Sequence, residues 1–406
     1  MVSPYLKNKG SAVRFCLWPQ VIHFKKYILK SFNFLIYFFS VAQVARRTIL
    51  SDGFEIHYWS FSELLIYYPD RFIRRGLIGQ IIQFIDNDGI LLDSTLLVIF
   101  INFCFFIFFL YLNLRTYELT SHQSFLLLMS TFGIFQVSIY NQYFHRKEMF
   151  LITLFLIINL ILKNMIQSNF KFLMVLFLTI ISILIHEGIA LLMFPFVYYL
   201  LKQKTENTNF HKAFFIVSIT VFIAVILNAG SPEIADQIRN SLSTEDRILF
   251  ETDRDAITTI GWSIYDTFAL TTFTLIFSGS MFLWLFYIAL LILNIHVILN
   301  LSISKFSKLD VINFMKDNSY FLLIVPIFIV GFDWGRWIFS IFYFLFFTII
   351  NIKPIDKFNS FKSKEILFLV ISFFTIMPEC CLEMTRGDMI TKNLFRVFES
   401  LLFHLS

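Results

Sequence analysis

Four short runs in this chain set ionisable side chains inside apolar sequence: Pro69-Asp70-Arg71-Phe72-Ile73-Arg74-Arg75-Gly76-Leu77-Ile78-Gly79, His145-Arg146-Lys147-Glu148, His186-Glu187 and Gly331-Phe332-Asp333-Trp334-Gly335-Arg336-Trp337. In the first, Arg71, Arg74 and Arg75 share a face if the run is helical, because residues three and four apart are neighbours. Such a face clamps a phosphate; the competing reading is an interfacial helix whose Arg meet lipid phosphates. In the second, Arg146 and Lys147 beside His145 make a positive field that Glu148 neutralises in part. A salt-bridged helix end is the alternative. In the third, Glu187 can set the tautomer of His186, which then serves as a general base; otherwise the His satisfies a buried hydrogen bond. No HExxH pattern supports a metal there. In the fourth, Asp333 and Arg336 pair at i, i+3, and Trp334 and Trp337 suit either a membrane interface or the face of a sugar.

These runs need a scaffold, and the composition says which. The 406 residues are 57% hydrophobic and 15% charged, with 55 Phe and a mean hydropathy of +0.73. Soluble domains carry roughly 25% charged residues. Helices apolar on every face need an apolar solvent, which is lipid. The net charge of +5 is dispersed between apolar segments, so nucleic acid is not a partner. Cys16, Cys104, Cys380 and Cys381 have no metal-ligand spacing and read as structural.

The expected fold is all-α, a polytopic transmembrane bundle of about eleven spans in one integral membrane domain over 1–406. The spans lie near 27–45, 93–114, 123–140, 149–162, 172–186, 188–201, 213–229, 272–298, 319–332, 337–351 and 365–378. The first 26 residues are basic and lack a cleavable signal pattern, so 27–45 reads as a retained first span. Two long outer loops, about 46–92 and 230–271, carry interfacial helices, the second as a polar cap.

Placing the N-terminus in the cytoplasm puts 17 of the 19 Lys inside and 12 of the 14 Arg outside. Lys follows the positive-inside rule and Arg opposes it. An excess of planar, permanently charged forks on the outer side points to an anion there, phosphate or carboxylate. Lipid headgroups and local ion pairs are the alternative.

No P-loop, dinucleotide fingerprint or Ser nucleophile elbow occurs. A lipid-linked pyrophosphate donor fits instead. Arg would bind the diphosphate as leaving group, and a His or carboxylate would deprotonate the attacking hydroxyl. By its span layout, its late outer loop and the runs Arg71–Gly79, His145–Glu148, His186–Glu187 and Asp333–Trp337, the chain resembles bacterial O-antigen polymerases of the Wzy type. That resemblance implies a glycosyltransferase that joins undecaprenyl-diphosphate-linked oligosaccharide repeat units on the periplasmic side of a Gram-negative inner membrane. It implies no cofactor, and a chain-length regulator protein as a partner. The assignment made here is catalytic roles for His186, Glu187, Asp333 and Arg336, and substrate binding by Arg71, Arg74, Arg75, His145, Arg146, Lys147, Trp334 and Trp337. Arg239, Arg247 and Arg254 of the late loop match no defined motif.

Two alternatives stay open. A GT-C-type enzyme using a polyprenyl-phosphate sugar would place a catalytic acid in the first outer loop, where Asp52 and Asp70 stand. A lipid-linked glycan transporter is disfavoured, because neither repeat halves nor matched broken spans are visible.

Overall fold

The structure, a computed structural model, describes residues 27–50, 58–69, 71–86, 91–139, 144–164, 168–228, 230–243, 256–262, 280–300, 316–330, 334–352 and 360–375, with a few single positions between them. Among these residues every regular element is helical. In chain order they are α1 (Tyr27–Ile49), α2 (Tyr58–Leu64), α3 (Leu77–Ile85), α4 (Leu91–Thr116), α5 (Ser121–Met129), α6 (Ile134–Ile139), α7 (Lys147–Lys163), α8 (Asn169–Ile185), α9 (Glu187–Lys204), α10 (Thr208–Leu227), α11 (Pro232–Ser241), α12 (Ser280–Leu299), α13 (Val325–Val330), α14 (Trp334–Ile352) and α15 (Ser363–Phe374).

Four of them, α1, α4, α10 and α14, are long and apolar enough to cross a membrane. The other apolar segments are shorter or interrupted. The segment expected at 123–140 is two helices, α5 and α6, parted at Ser130–Gly133. Gly133 is required there, since a Cβ would lie 2.4 Å from the carbonyl oxygens of Leu127 and Leu128. The segment expected at 319–332 is a 3-10 turn, Ser319–Ile324, followed by α13. The span set near 272–298 is described from Ser280.

Burial sorts the helices into an inner and an outer set. α7, α9 and α14 are buried along most of their length and pack against one another. α14 fills the centre with Phe339, Phe342, Tyr343, Phe346 and Phe347. α4, α8 and α10 lie around this core. α10 buries only Phe214, Ser218 and Val225 and turns Ile216, Ile223 and Leu227 outward. An apolar helix with an apolar exposed face suits lipid rather than water.

Both long loops fold onto one end of this bundle. The first supplies α2 and α3. α3 starts at Leu77, so Arg71, Arg74 and Arg75 precede it in a turn and do not share a helical face. It buries Ile78, Gly79 and Ile82 and exposes Ile81 and Phe84. Gly79 allows α3 to lie directly on the chain after α2, where a Cβ would meet the Ile66 carbonyl oxygen at 2.1 Å. The second loop supplies α11 and the 3-10 turn Ala256–Gly261, while Arg247 and Arg254 lie outside the described residues. It is fastened to the first loop by Ala256 N–H donating to Ser62 Oγ (2.9 Å), by Tyr67 Oη donating to Ser241 Oγ (2.8 Å) and by Arg74 Nη2 donating to the Thr259 carbonyl (3.0 Å).

Candidate functional site

Five stretches far apart in sequence deliver charged side chains to one buried place at that end. α2 brings Glu63, flanked by buried Phe61, Leu64 and Leu65. The turn before α3 brings Arg74 and Arg75. The start of α7 brings His145, Arg146, Lys147 and Glu148, and the single-residue break between α8 and α9 brings His186 and Glu187. The start of α14 brings Arg336. Lys147, Glu148 and His145 are fully buried, and Glu63, Arg146, His186, Glu187 and Arg336 nearly so.

Glu63 is the hub. Arg336 Nη2 donates to its two carboxylate oxygens at 3.1 and 3.0 Å. His186 Nε2 lies 3.6 Å from Oε1, and Arg146 Nη1 lies 4.0 Å from Oε2. Burial by itself would push the Glu63 carboxyl up. Arg336, then His186, Lys147 and Arg146, outweigh it and hold the group well below the usual carboxylate range. Arg336 is gripped from the other side as well, its Nε donating to Glu148 Oε1. A second knot adjoins the first: Arg75 Nε donates to Glu187 Oε1 at 3.0 Å, and Arg74 Nη1 is 4.0 Å from the same oxygen. Lys147 joins the knots by donating from Nζ to the Arg75 carbonyl at 2.7 Å.

His186 caps α9, its Nδ1 accepting from the Ile189 N–H at 3.5 Å. With Nδ1 as acceptor, the proton of the neutral ring sits on Nε2, facing Glu63. The carboxylate that sets this tautomer is therefore Glu63 and not the adjacent Glu187, which turns to Arg75. Likewise Glu148 accepts a hydrogen bond from Arg336 of α14, with its neighbour Arg146 acting on it more weakly through charge.

Three of the four expected runs thus meet, joined by Arg336 from the fourth. Arg71 stays exposed, away from the knots. Asp333 lies outside the described residues. Trp334 donates from Nε1 to the Phe328 carbonyl at 3.0 Å, and both Trp334 and Trp337 pack edge-on against Phe328. Trp337 is buried and offers no open face for a sugar. Arg239 pairs with Asp236 on α11 and with Thr258. Glu63 is what sequence reasoning missed as a site residue. Its signal was slight: one acid in an aromatic, amphipathic stretch after the first span.

Among the described residues the cluster holds five cations (Arg74, Arg75, Arg146, Lys147, Arg336) against three carboxylates (Glu63, Glu148, Glu187). Buried charges are costly even when paired, and apolar packing usually stabilises as well or better. A cluster that stays positive in such a setting can receive an anion, and its His–carboxylate contact can hold or pass a proton. No group of three or more His, Cys, Asp or Glu side chains suited to a metal occurs among the described residues. The class so defined is an apolar helical protein with a largely buried ionic centre at one end, net-positive among the described residues. No family model, curated protein or solved structure matches the chain.

Proposed function

We propose that this chain is a membrane glycosyltransferase that joins undecaprenyl-diphosphate-linked oligosaccharide repeat units, as O-antigen polymerases do. In this reading the chain crosses the bacterial inner membrane about eleven times, with its N-terminus cytoplasmic and the ionic centre at the outer face. The division of Lys and Arg supports that orientation: the ends bearing Lys163, Lys202, Lys204 and Lys364 lie opposite the ends bearing Arg75, Arg146 and Arg336.

The observation that carries the proposal is the excess of cations over carboxylates in this centre among the described residues, with the buried charges balanced three against three and the half-buried Arg74 and Arg75 as the surplus. A lipid diphosphate enters from the bilayer and presents its negative charge at the depth of these side chains. Cations placed there bind it and stabilise it as leaving group. In this reading the proton of the attacking sugar hydroxyl goes to the Glu63 carboxylate, since both nitrogens of neutral His186 are engaged. Membrane lipid and a chain-length regulator are the partners this reading carries. A strain lacking the protein is expected to make surface glycan one repeat long instead of a ladder, with the ladder restored by the wild-type chain and not by Glu63→Gln. A ladder that persists in the deletion strain overturns the proposal.

One observation favours a second reading, transfer of a single sugar from a polyprenyl-phosphate donor by an enzyme of the GT-C kind. That chemistry needs an acid in the first outer loop, and Glu63 is such an acid, buried in the ionic centre. Asp52 and Asp70, the first candidates for that role, lie outside the described residues. Glycan that stops short of one complete repeat in the deletion strain decides for this reading.

A further inference from the structure

Arg75 differs from the other cations of the centre in how it is held. Its φ is +66°, in the left-handed region that glycine enters freely and other residues rarely do. The chain nevertheless places Arg there and Gly76 one position later. Two contacts fix the bend: Lys147 Nζ donates to the Arg75 carbonyl at 2.7 Å, and the Arg74 N–H donates to the Asn228 carbonyl at 3.1 Å. The side chain is fixed at its base, where Nε donates to both Glu187 oxygens at 3.0 and 3.3 Å. No described residue hydrogen-bonds its two terminal amino groups. The side chain is 23% exposed, against 3% for Arg336, whose guanidinium is spent on Glu63 and Glu148.

A strained backbone kept for a side chain whose outer half is unspent marks a functional constraint. We propose that Arg75 is the guanidinium that grips the phosphate of the lipid-linked substrate, with Glu187 and Lys147 as positioning residues that aim it. This rests on the reading of the substrate as a lipid-linked phosphate. It moves Glu187 from setting the tautomer of His186 to positioning Arg75. A guanidinium anchored through Nε still offers two N–H groups side by side, the geometry that phosphate oxygens accept.

The test uses the full chain in detergent with farnesyl diphosphate as probe, read by isothermal titration and thermal melting. Arg75→Gly removes the strain together with the fork. Arg75→Gly also leaves the buried Glu187 carboxylate without its hydrogen-bonded partner, so it is expected to melt below the wild type, with most of the loss recovered in Arg75→Gly/Glu187→Gln; affinity falls about ten-fold or more in both, the size of a charge-assisted contact. Millimolar guanidinium should restore part of the binding. Glu187→Gln should weaken binding less, and not at all when added to Arg75→Gly, because it acts through that residue. Four outcomes overturn the assignment: a wild type that does not bind the probe, Arg75→Gly binding like wild type, Arg75→Gly/Glu187→Gln melting as far below wild type as Arg75→Gly with no rescue of binding by guanidinium, or Glu187→Gln losing the same factor in both backgrounds. A wild type that binds through Arg75 yet transfers no sugar overturns the glycosyltransferase reading and leaves this assignment standing.

Discussion

The helices that carry the ionic centre carry a second polar cluster at their opposite ends, and the two are built on different terms. On α7, Asn159 follows Lys147 by about 18 Å of helix; on α14, Asn351 follows Arg336 by about 22 Å. Asn159 Nδ2 donates to Asn113 Oδ1 of α4, and Asn351 Nδ2 donates to Asn159 Oδ1, both at 2.8 Å. Tyr117 Oη reaches the Asn159 carbonyl at 3.4 Å, and Lys204 Nζ donates to the Asn351 carbonyl at 3.1 Å. Three buried amides tie three helices with no buried carboxylate among them. Tying α4, α7 and α14 together therefore does not require charge. The proposed anionic ligand gives the charges at the other end a use besides cohesion, matched to their positive surplus among the described residues.

The comparison breaks most visibly at Glu63. Glu63→Ala leaves Arg336 and Arg146 buried without their shared carboxylate, a loss of about 3–5 kcal/mol. Thermal melting in detergent should show it, with glycan transfer abolished. Retained transfer would remove Glu63 from the chemistry. A smaller loss is expected at the amide end, where Asn159→Leu deprives Asn113 and Asn351 of their partner at about 1–3 kcal/mol. Transfer by the folded fraction should stay near wild type, and an inactive but well-folded Asn159→Leu would erase the functional contrast between the two ends.

Acid should divide the ends further. The Glu63 carboxyl is held below its ordinary value of 4.5 in the folded chain. Its contribution to stability is therefore complete above about that pH and is lost as pH falls toward the lower folded value. Hydrogen exchange between pH 6 and 3 should open α2 and the start of α14 before the amide end, where the groups that tie the helices are amides and do not titrate. Simultaneous opening of both ends would contradict this. The smallest effect belongs to the exposed Lys357–Glu118 pair. Lys357→Ala should change neither melting nor transfer measurably, since solvent-exposed pairs contribute little.

Much of this was legible from residue types alone. All-helical character follows from apolar runs without strand alternation. The His145–Glu148, His186–Glu187 and Arg336 runs stood out because ionisable groups are rare in such sequence. What could not be read was the pairing. A neighbour in sequence looked like a partner: Glu187 for His186. The folded chain instead turns His186 to Glu63, and joins Arg336 to Glu63 and Glu148 from two other elements, because helix ends from distant parts of the sequence meet at the bundle's end. Periodicity along one helix carries no information about which other helix end packs beside it. The conditional helix over Arg71–Arg75 failed for a local reason. Two contacts and one backbone conformation hold that stretch as a turn: the Lys147 bond to the Arg75 carbonyl, the Arg74 bond to the Asn228 carbonyl, and the left-handed Arg75.

The Glu63–Arg336 bond also has a date in the life of the chain. Its partners are 273 positions apart. At 5–20 residues per second, synthesis delivers the arginine roughly 15–55 s after the glutamate. Through that interval the acid has Arg75, Arg146, Lys147 and His186 as charged or polar company among the described residues once α7 and α9 are in place. The ionic centre is thus completed by the last third of the chain. A ribosome that stops short of α14 leaves a bundle whose central carboxylate lacks its strongest partner, a product that quality-control proteases have physical grounds to recognise.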